Sequence, residues 1–367
     1  MGNVLFDLSG SKMADRPEPW VPCLVSKEEI DEAVARLCDT AAAPNGYRSA
    51  SIVHPASAES VPSFTPGTDV TINVLLPGES TLPLRRNTNQ LEICIRGSGE
   101  IESSRTMTAG KWDVWTTPAM TPVRYHNTGK DVWVRLTYSN APLLRKLGAY
   151  FCEEGGHIGE NEGSADTVDE VKRSIYNMEN APDIALGKDG ARLRGYEFLT
   201  DITVKENPPL LWKWEDVYPY LPKKVEDNNR SIWLLYNPAT AEKQGSNHSY
   251  FATWAGAAPG TPTFTGKRGH RHNSASINYH IRGYGKSVVD GEAVEWKAGD
   301  LLFSAPSWRE HAHYFGPEGT EILTVQDHPM LIGLGNLLWQ EDVNGPIFTL
   351  GAEPGQKGWT GPREVGA

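Results

Sequence analysis

Four histidines in two pairs are the residues best placed to do chemistry. His270 and His272 stand one residue apart in "GHRHNSASINYHIRGYG" (269–285), and His311 and His313 repeat the spacing in "SWREHAHYF" (307–315). On a strand, side chains two apart share a face, so each pair aims two imidazoles at one side. A pair on one strand and a third histidine on a later one, both beside glycine turns, place three neutral nitrogens around one ion. Three protein ligands leave coordination positions open, as in catalytic rather than structural sites. With no carboxylate or thiolate in the set, iron(II), zinc, manganese, nickel and copper all satisfy it. A lone histidine on a strand is more often a packed core residue, which is the reading for His280.

The elements that must carry these residues read as strands. From 68 to 140 the chain alternates in short runs ("TDVTINVLLPG", "LEICIRGSGEIES", "VRYHNTGKDVWVRLTY"), and a second set runs from 231 to 330. Short strands between Gly-containing turns predict a sandwich or barrel. The two sets look like one repeat. "CIRGSG" matches "HIRGYG" with Gly97 and Gly283 186 residues apart, and "GKWDVWTTP" matches "AGDLLFSAP" with Pro118 and Pro306 188 apart. Agreement within two residues supports a duplicated β-domain.

The other segments read as support. Residues 26–41 carry a capping box, Ser26 with Glu29, ahead of Ile30, Val34 and Leu37 at helical spacing. The acidic, Gly-rich stretch 153–183 holds a helical pattern at Val168, Val171 and Ile175. The expected organisation is an N-terminal arm (1–66), a first barrel (67–150), a linker with a helix (151–199), a second, metal-binding barrel (200–350) and a Gly/Pro-rich tail (351–367).

Composition narrows the setting. A 367-residue chain is long enough for a sizeable core, and its net charge of −11 argues against nucleic acid, whose binding runs on clustered Lys and Arg. The four cysteines are scattered without a CxxC pair, so they are expected as reduced, small, buried hydrophobes in a cytoplasmic protein. The start "MGNVLFDLSGSK" lacks the apolar core of a signal peptide, Phe6 stands where a myristoylation signal wants Ser or Thr, and no run spans a bilayer. No membrane partner is expected.

The order Gly269, HxH, strand, "IRGYG", "GEAVEWKAGD" and "PSWREH" resembles the two motifs of the cupin superfamily. The resemblance implies an all-β bicupin, two jelly-roll β-barrels with a few peripheral helices, in which His270, His272 and His311 are metal ligands. The superfamily's usual glutamate ligand falls at Ser276, which implies a three-histidine site. "HRH" with "PSW..HAH", together with "LLWKWEDVYPYLPK" (210–223) and "NNRSIWLLYNPA" (228–239), resembles the gentisate 1,2-dioxygenase group, which includes salicylate and 1-hydroxy-2-naphthoate dioxygenases.

In that group a ferrous ion binds the substrate's ring hydroxyl and carboxylate with O2 alongside, and the ring is cleaved next to the carboxyl-bearing carbon. The resemblance implies Fe(II) as cofactor, a small aromatic substrate with O2, a homo-oligomer (dimer or tetramer) and His313 as the catalytic, non-ligand histidine. It places Asn278, Trp254, Arg230, Ser276 and Asp327 at the substrate. Two departures stand out. Asn278 occupies the position of an arginine that clamps the substrate carboxylate, and a neutral amide cannot form that charge-assisted fork. The metal repeat is also the C-terminal one, whereas the group usually carries it in the N-terminal half. Projected through the repeat, the ligand positions fall in the first copy at Leu84, Arg86 and Val123, which predicts a metal-free barrel there. A non-oxidative isomerase, decarboxylase or lyase using Zn, Mn or Ni, and a binding module without turnover, are the competing readings, and oxygen uptake separates them from the dioxygenase.

Overall fold

A computed structural model describes residues 18–155, 178–203, 205–227, 231–262 and 269–358. The helix expected around 168–175 lies outside these residues. The arm supplies β1 (Cys23–Val25) and α1 (Lys27–Asp39). Helix α1 starts as its sequence dictates: Ser26 Oγ accepts from Glu29 N at 3.2 Å and Ser26 N donates to Glu29 Oε2 at 2.8 Å, while Ile30, Val34 and Leu37 are buried.

The first repeat follows with β2 (Ser49–Ile52), β3 (Asp69–Leu75), β4 (Leu84–Arg86), β5 (Gln90–Arg96), β6 (Ser98–Glu102), β7 (Thr106–Gly110), β8 (Val114–Thr117), β9 (Arg124–His126), β10 (Trp133–Ser139), α2 (Ala141–Lys146) and β11 (Cys152–Glu154). A hairpin, β12 (Asp183–Ala185) and β13 (Arg192–Arg194), leads to β14 (Leu210–Trp212). The second repeat holds β15 (Ile232–Leu234), β16 (Phe251–Ala257), β17 (Arg271–His272), β18 (Ser276–Arg282), β19 (Tyr284–Val289), β20 (Glu292–Lys297), β21 (Leu301–Ala305), β22 (His311–Phe315) and β23 (Thr320–Gln326). A short helix, His328–Gly333, then precedes β24 (Leu337–Gln340) and β25 (Phe348–Leu350).

Each repeat builds a six-stranded and a three-stranded sheet. The first has order β14-β8-β5-β10-β3-β2 with β7-β6-β9, and the second β1-β21-β18-β23-β16-β15 with β20-β19-β22. The edge strands are exchanged: β14, which opens the second half, pairs with β8, and the arm strand β1 pairs with β21. The duplication expected from the sequence therefore extends to the edges of the sheets. Where β5 passes into β6 and β18 into β19, Gly97 and Gly283 sit at φ +72 and +85, and a Cβ there would lie 2.4 Å from Val132 O and 2.1 Å from Gly319 O. Glycine at both points is a steric requirement.

The main apolar layer draws on both six-stranded sheets and α1. It includes Ile72, Ile93, Leu136, Ile277, Leu323 and Trp254. Because strand side chains alternate, the opposite faces look into the two barrels. All four cysteines are free, but only Cys94 is buried; Cys152 is exposed at the strand pair β4–β11, which corrects the expectation of burial. No helix among the described residues is long and apolar enough to cross a membrane.

Candidate metal centre

Two hydrogen-bonded strands bring the histidines together. His270 and His311 form an antiparallel bridge, His270 N donating to His311 O at 3.2 Å and His311 N to His270 O at 2.9 Å. His272 follows two residues on. One nitrogen from each of His270, His272 and His311 lies within 4.8 Å of the other two, a group that could hold a metal ion. Ring centroids are 4.5 Å apart for His270–His311, 4.7 Å for His272–His311 and 5.4 Å for His270–His272.

The surroundings set the tautomers. His272 Nδ1 lies 3.0 Å from Ser274 O, and His311 Nδ1 lies 3.0 Å from Arg309 O. A carbonyl can only accept, so His311 carries its proton on Nδ1 and keeps the Nε2 lone pair for a ligand. His272 Nδ1 also meets Ser274 Oγ at 2.8 Å, a hydroxyl that accepts from the ring in the tautomer that leaves Nε2 for a metal. His272 Nε2 is sealed from solvent without a hydrogen-bond partner. Burial, then the neighbouring His311 and His328, hold the His272 pKa well below the usual histidine value, so it is the neutral, metal-binding form that is favoured. These features fit a metal ion. Trp339, across from His272 in β24, covers the set with its ring 5.3 Å from His272 and 5.0 Å from His270.

An outer network fixes the ligand strands. Arg309, whose carbonyl holds His311, donates through Nη1 to Asp290 at 2.7 Å and through Nε and Nη2 to the carbonyls of Trp20 and Pro19, each at 3.1 Å. Asp290 also accepts from Glu310 N at 2.9 Å, and Glu310 Oε1 accepts from Gly269 N at 3.0 Å. The arm is thus tied to the third histidine of the set.

The first repeat provides an internal control. Its bridge between Leu84 and Val123 is the counterpart of His270–His311, so the projected positions hold Leu84, Arg86 and Val123, none of them an imidazole. Its interior is filled by buried Glu92, which accepts from Arg135 Nη1 at 2.8 Å, Thr137 Oγ1 at 2.9 Å, Trp115 Nε1 at 3.1 Å and the Tyr125 hydroxyl. In the second repeat the matching registers carry Asn278 opposite Leu302 and Thr324, with Ile322 in place of Arg135 and His313 in place of Tyr125. Smaller side chains replace Trp115, Arg135 and Tyr125. Consistently, Thr253, Ala255, Thr324, Gln326 and His313 on the interior faces retain partial exposure, while the apolar-layer faces of β16 and β23 are sealed. In the second barrel the interior faces beside the three histidines, its chamber side, are thus less filled than in the first.

Ser276 and Asn278 face that chamber. Asn278 Nδ2 donates to Ser304 Oγ at 3.1 Å, and Asn278 Oδ1 and Ser276 Oγ are buried without partners. His313 shares the face of His311, and its Nδ1 meets Ser287 Oγ at 2.8 Å. His280 is a core residue as expected, stacked on Trp296 at 3.9 Å, with burial pushing its pKa down to about 3. Trp254 is a correction: it pairs with Leu323 on the face opposite Asn278 and packs on Trp214 at 4.7 Å, inside the apolar layer, so it does not line the chamber. Asp327 is likewise not brought to the histidines. Its Oδ1 accepts from Ala275 N at 2.8 Å, the bond that Asn140 makes to Asn89 N at 3.0 Å in the first repeat, so it brackets two segments. It also lines a cleft of about 880 Å³ with Trp20, Gly67, Lys146 and Trp308, a cleft that none of the three histidines lines. Arg230 lies outside the described residues.

The sequence reading missed His328. Its ring lies 5.1 Å from His272, 4.9 Å from Phe251 and 5.7 Å from Trp339. Burial, then His311, lower its pKa to about 3. Setting "SNAP" (139–142) against "QDHP" (326–329) aligns it with Ala141, the one signal that could have found it.

No protein-family model matches the chain. It is 25% identical over 155 residues to a 5-nitrosalicylic acid 1,2-dioxygenase from Bradyrhizobium sp, covering 40% of this chain and 72% of that protein. With a gentisate 1,2-dioxygenase from Haloferax sp it shares 24% identity over 274 residues, 71% of each chain. The crystal structure of salicylate 1,2-dioxygenase from Pseudoaminobacter salicylatoxidans superposes with a TM-score of 0.68 at 14% identity, over 92% of this chain and 90% of that one. The chain is similar in sequence to ring-cleaving dioxygenases of the gentisate and salicylate type, and it has the bicupin fold of salicylate 1,2-dioxygenase. In this bicupin only the second repeat carries the histidine set among the described residues.

Proposed function

We propose that this ring-cleaving dioxygenase holds one ferrous ion between His270, His272 and His311 and opens a hydroxylated aromatic ring with O2 in the chamber beside it. The observation that carries the reading is the three-nitrogen set in the repeat where smaller side chains replace Trp115, Arg135 and Tyr125. When bound, the ion supplies open coordination positions and redox chemistry for a ring oxygen and O2. The chain's own residues do the rest. Trp339 shields one side of the set, Ser287 orients His313, and an imidazole at His313 can take or give a proton near neutral pH. Asn278 offers its unpartnered oxygen, an acceptor, to the substrate. That favours a hydroxyl or amino group at this end of the ring and disfavours a carboxylate, whose desolvation without a cation is costly.

The test is metal analysis of anaerobically purified protein, followed by O2 uptake with gentisate, salicylate, catechol and hydroquinone. One iron per chain and O2-coupled ring loss are expected. His272→Ala should lose the metal, whereas His313→Ala should keep it and lose roughly a hundredfold or more in turnover. Metal retention by His272→Ala, or substrate turnover without O2 consumption, overturns the reading.

A further inference from the structure

We propose that His328 is a substrate-contacting residue whose Nε2 hydrogen-bonds an oxygen substituent of the aromatic compound seated at His270, His272 and His311; the inference rests on the function proposed above. The first ground is an unmet bond. His328 is partly buried, but its Nε2 is sealed from solvent and has no hydrogen-bond partner in the protein. A ring nitrogen left so is an uncompensated cost unless a ligand or an ordered water meets it.

The second ground is position. The ring stands edge-on to His272 at 5.1 Å and to Phe251 at 4.9 Å, between the metal set and a residue on the chamber face of β16. It does not belong to the three-nitrogen group, so it stands beside the coordination positions without occupying one. The third ground is the duplication. The short helices Ala141–Lys146 and His328–Gly333 begin at equivalent points, each followed by a proline, so the fold accepts alanine where His328 stands. The imidazole is present in the repeat with the histidine set and absent from the one without it.

The test uses full-length, metal-loaded protein and the variants His328→Ala and His328→Gln. Metal per chain, thermal unfolding, and kcat and KM for gentisate, salicylate, catechol and hydroquinone are measured, together with anaerobic binding of the best substrate. For His328→Ala we expect metal content within twofold of wild type and about a tenfold rise in KM and in the anaerobic dissociation constant. His328→Gln, which retains a donor and an acceptor, should recover part of that loss. KM unchanged within twofold in His328→Ala overturns the assignment. So does a parallel loss of metal, which would make His328 a support of the ion, or a Gln variant no better than Ala, which would reduce it to packing. A wild type that opens none of these rings overturns this inference and the proposed function together, whereas the other results bear on His328 alone.

Discussion

Asn278 donates one amide hydrogen to Ser304 and leaves its buried oxygen without a partner, so charge discrimination turns on a single atom. Asn278→Arg should raise kcat/KM for gentisate and salicylate relative to catechol and hydroquinone by at least tenfold, because a guanidinium pairs with a carboxylate in two charge-assisted bonds. Unchanged ratios would remove Asn278 from substrate recognition. Asp327 supports a second prediction. Burial raises its carboxyl pKa to about 7, against roughly 3.9 in an unfolded chain. Between about pH 4 and pH 7 the unfolded state gives up this proton and the native state keeps it, so native stability falls as pH rises through that window and levels off above it. Asp327→Asn, which copies Asn140, should therefore stabilise the protein at pH 8 by on the order of 1 to 4 kcal/mol, a gain that vanishes near pH 4 in denaturant titrations. At this scale the sequence was legible where spacing carries meaning, as in HxH, and blind where orientation decides. "FATWAGA" does not say which face meets the chamber, and Trp254 took the other one.

Among the elements, the loop from Trp308 to His311 links the arm to the metal set. Arg309 grips Pro19 and Trp20 with its side chain and His311 with its carbonyl, so loosening the first should loosen the second. Arg309→Met should weaken metal binding by roughly tenfold or more, as changes behind metal ligands commonly do. Metal retention during dialysis against a graded chelator checks this, and a retention curve matching wild type would confine Arg309 to holding the arm. The start of α1 and the glycine turns were readable because caps and positive-φ positions are set by neighbouring residues. The pairings β1–β21 and β14–β8 were not, since neither strand's own residues name a partner in the other repeat.

For the whole molecule, the exchange of β1 and β14 and the shared apolar layer predict one cooperative unfolding transition, because neither six-stranded sheet is complete without a strand from the other half. Calorimetry and tryptophan fluorescence should give coincident midpoints; two resolved transitions would show that the halves unfold separately. Metal loading of the second barrel should then shift that single midpoint for the first as well. The same exchange has a consequence for assembly. Two separate arm-swapped halves would part on dilution, since their encounter depends on how many of each are present. Here one covalent chain fixes the local abundance of each half beside the other, so the pairing that completes both sheets is independent of how much protein the solution holds.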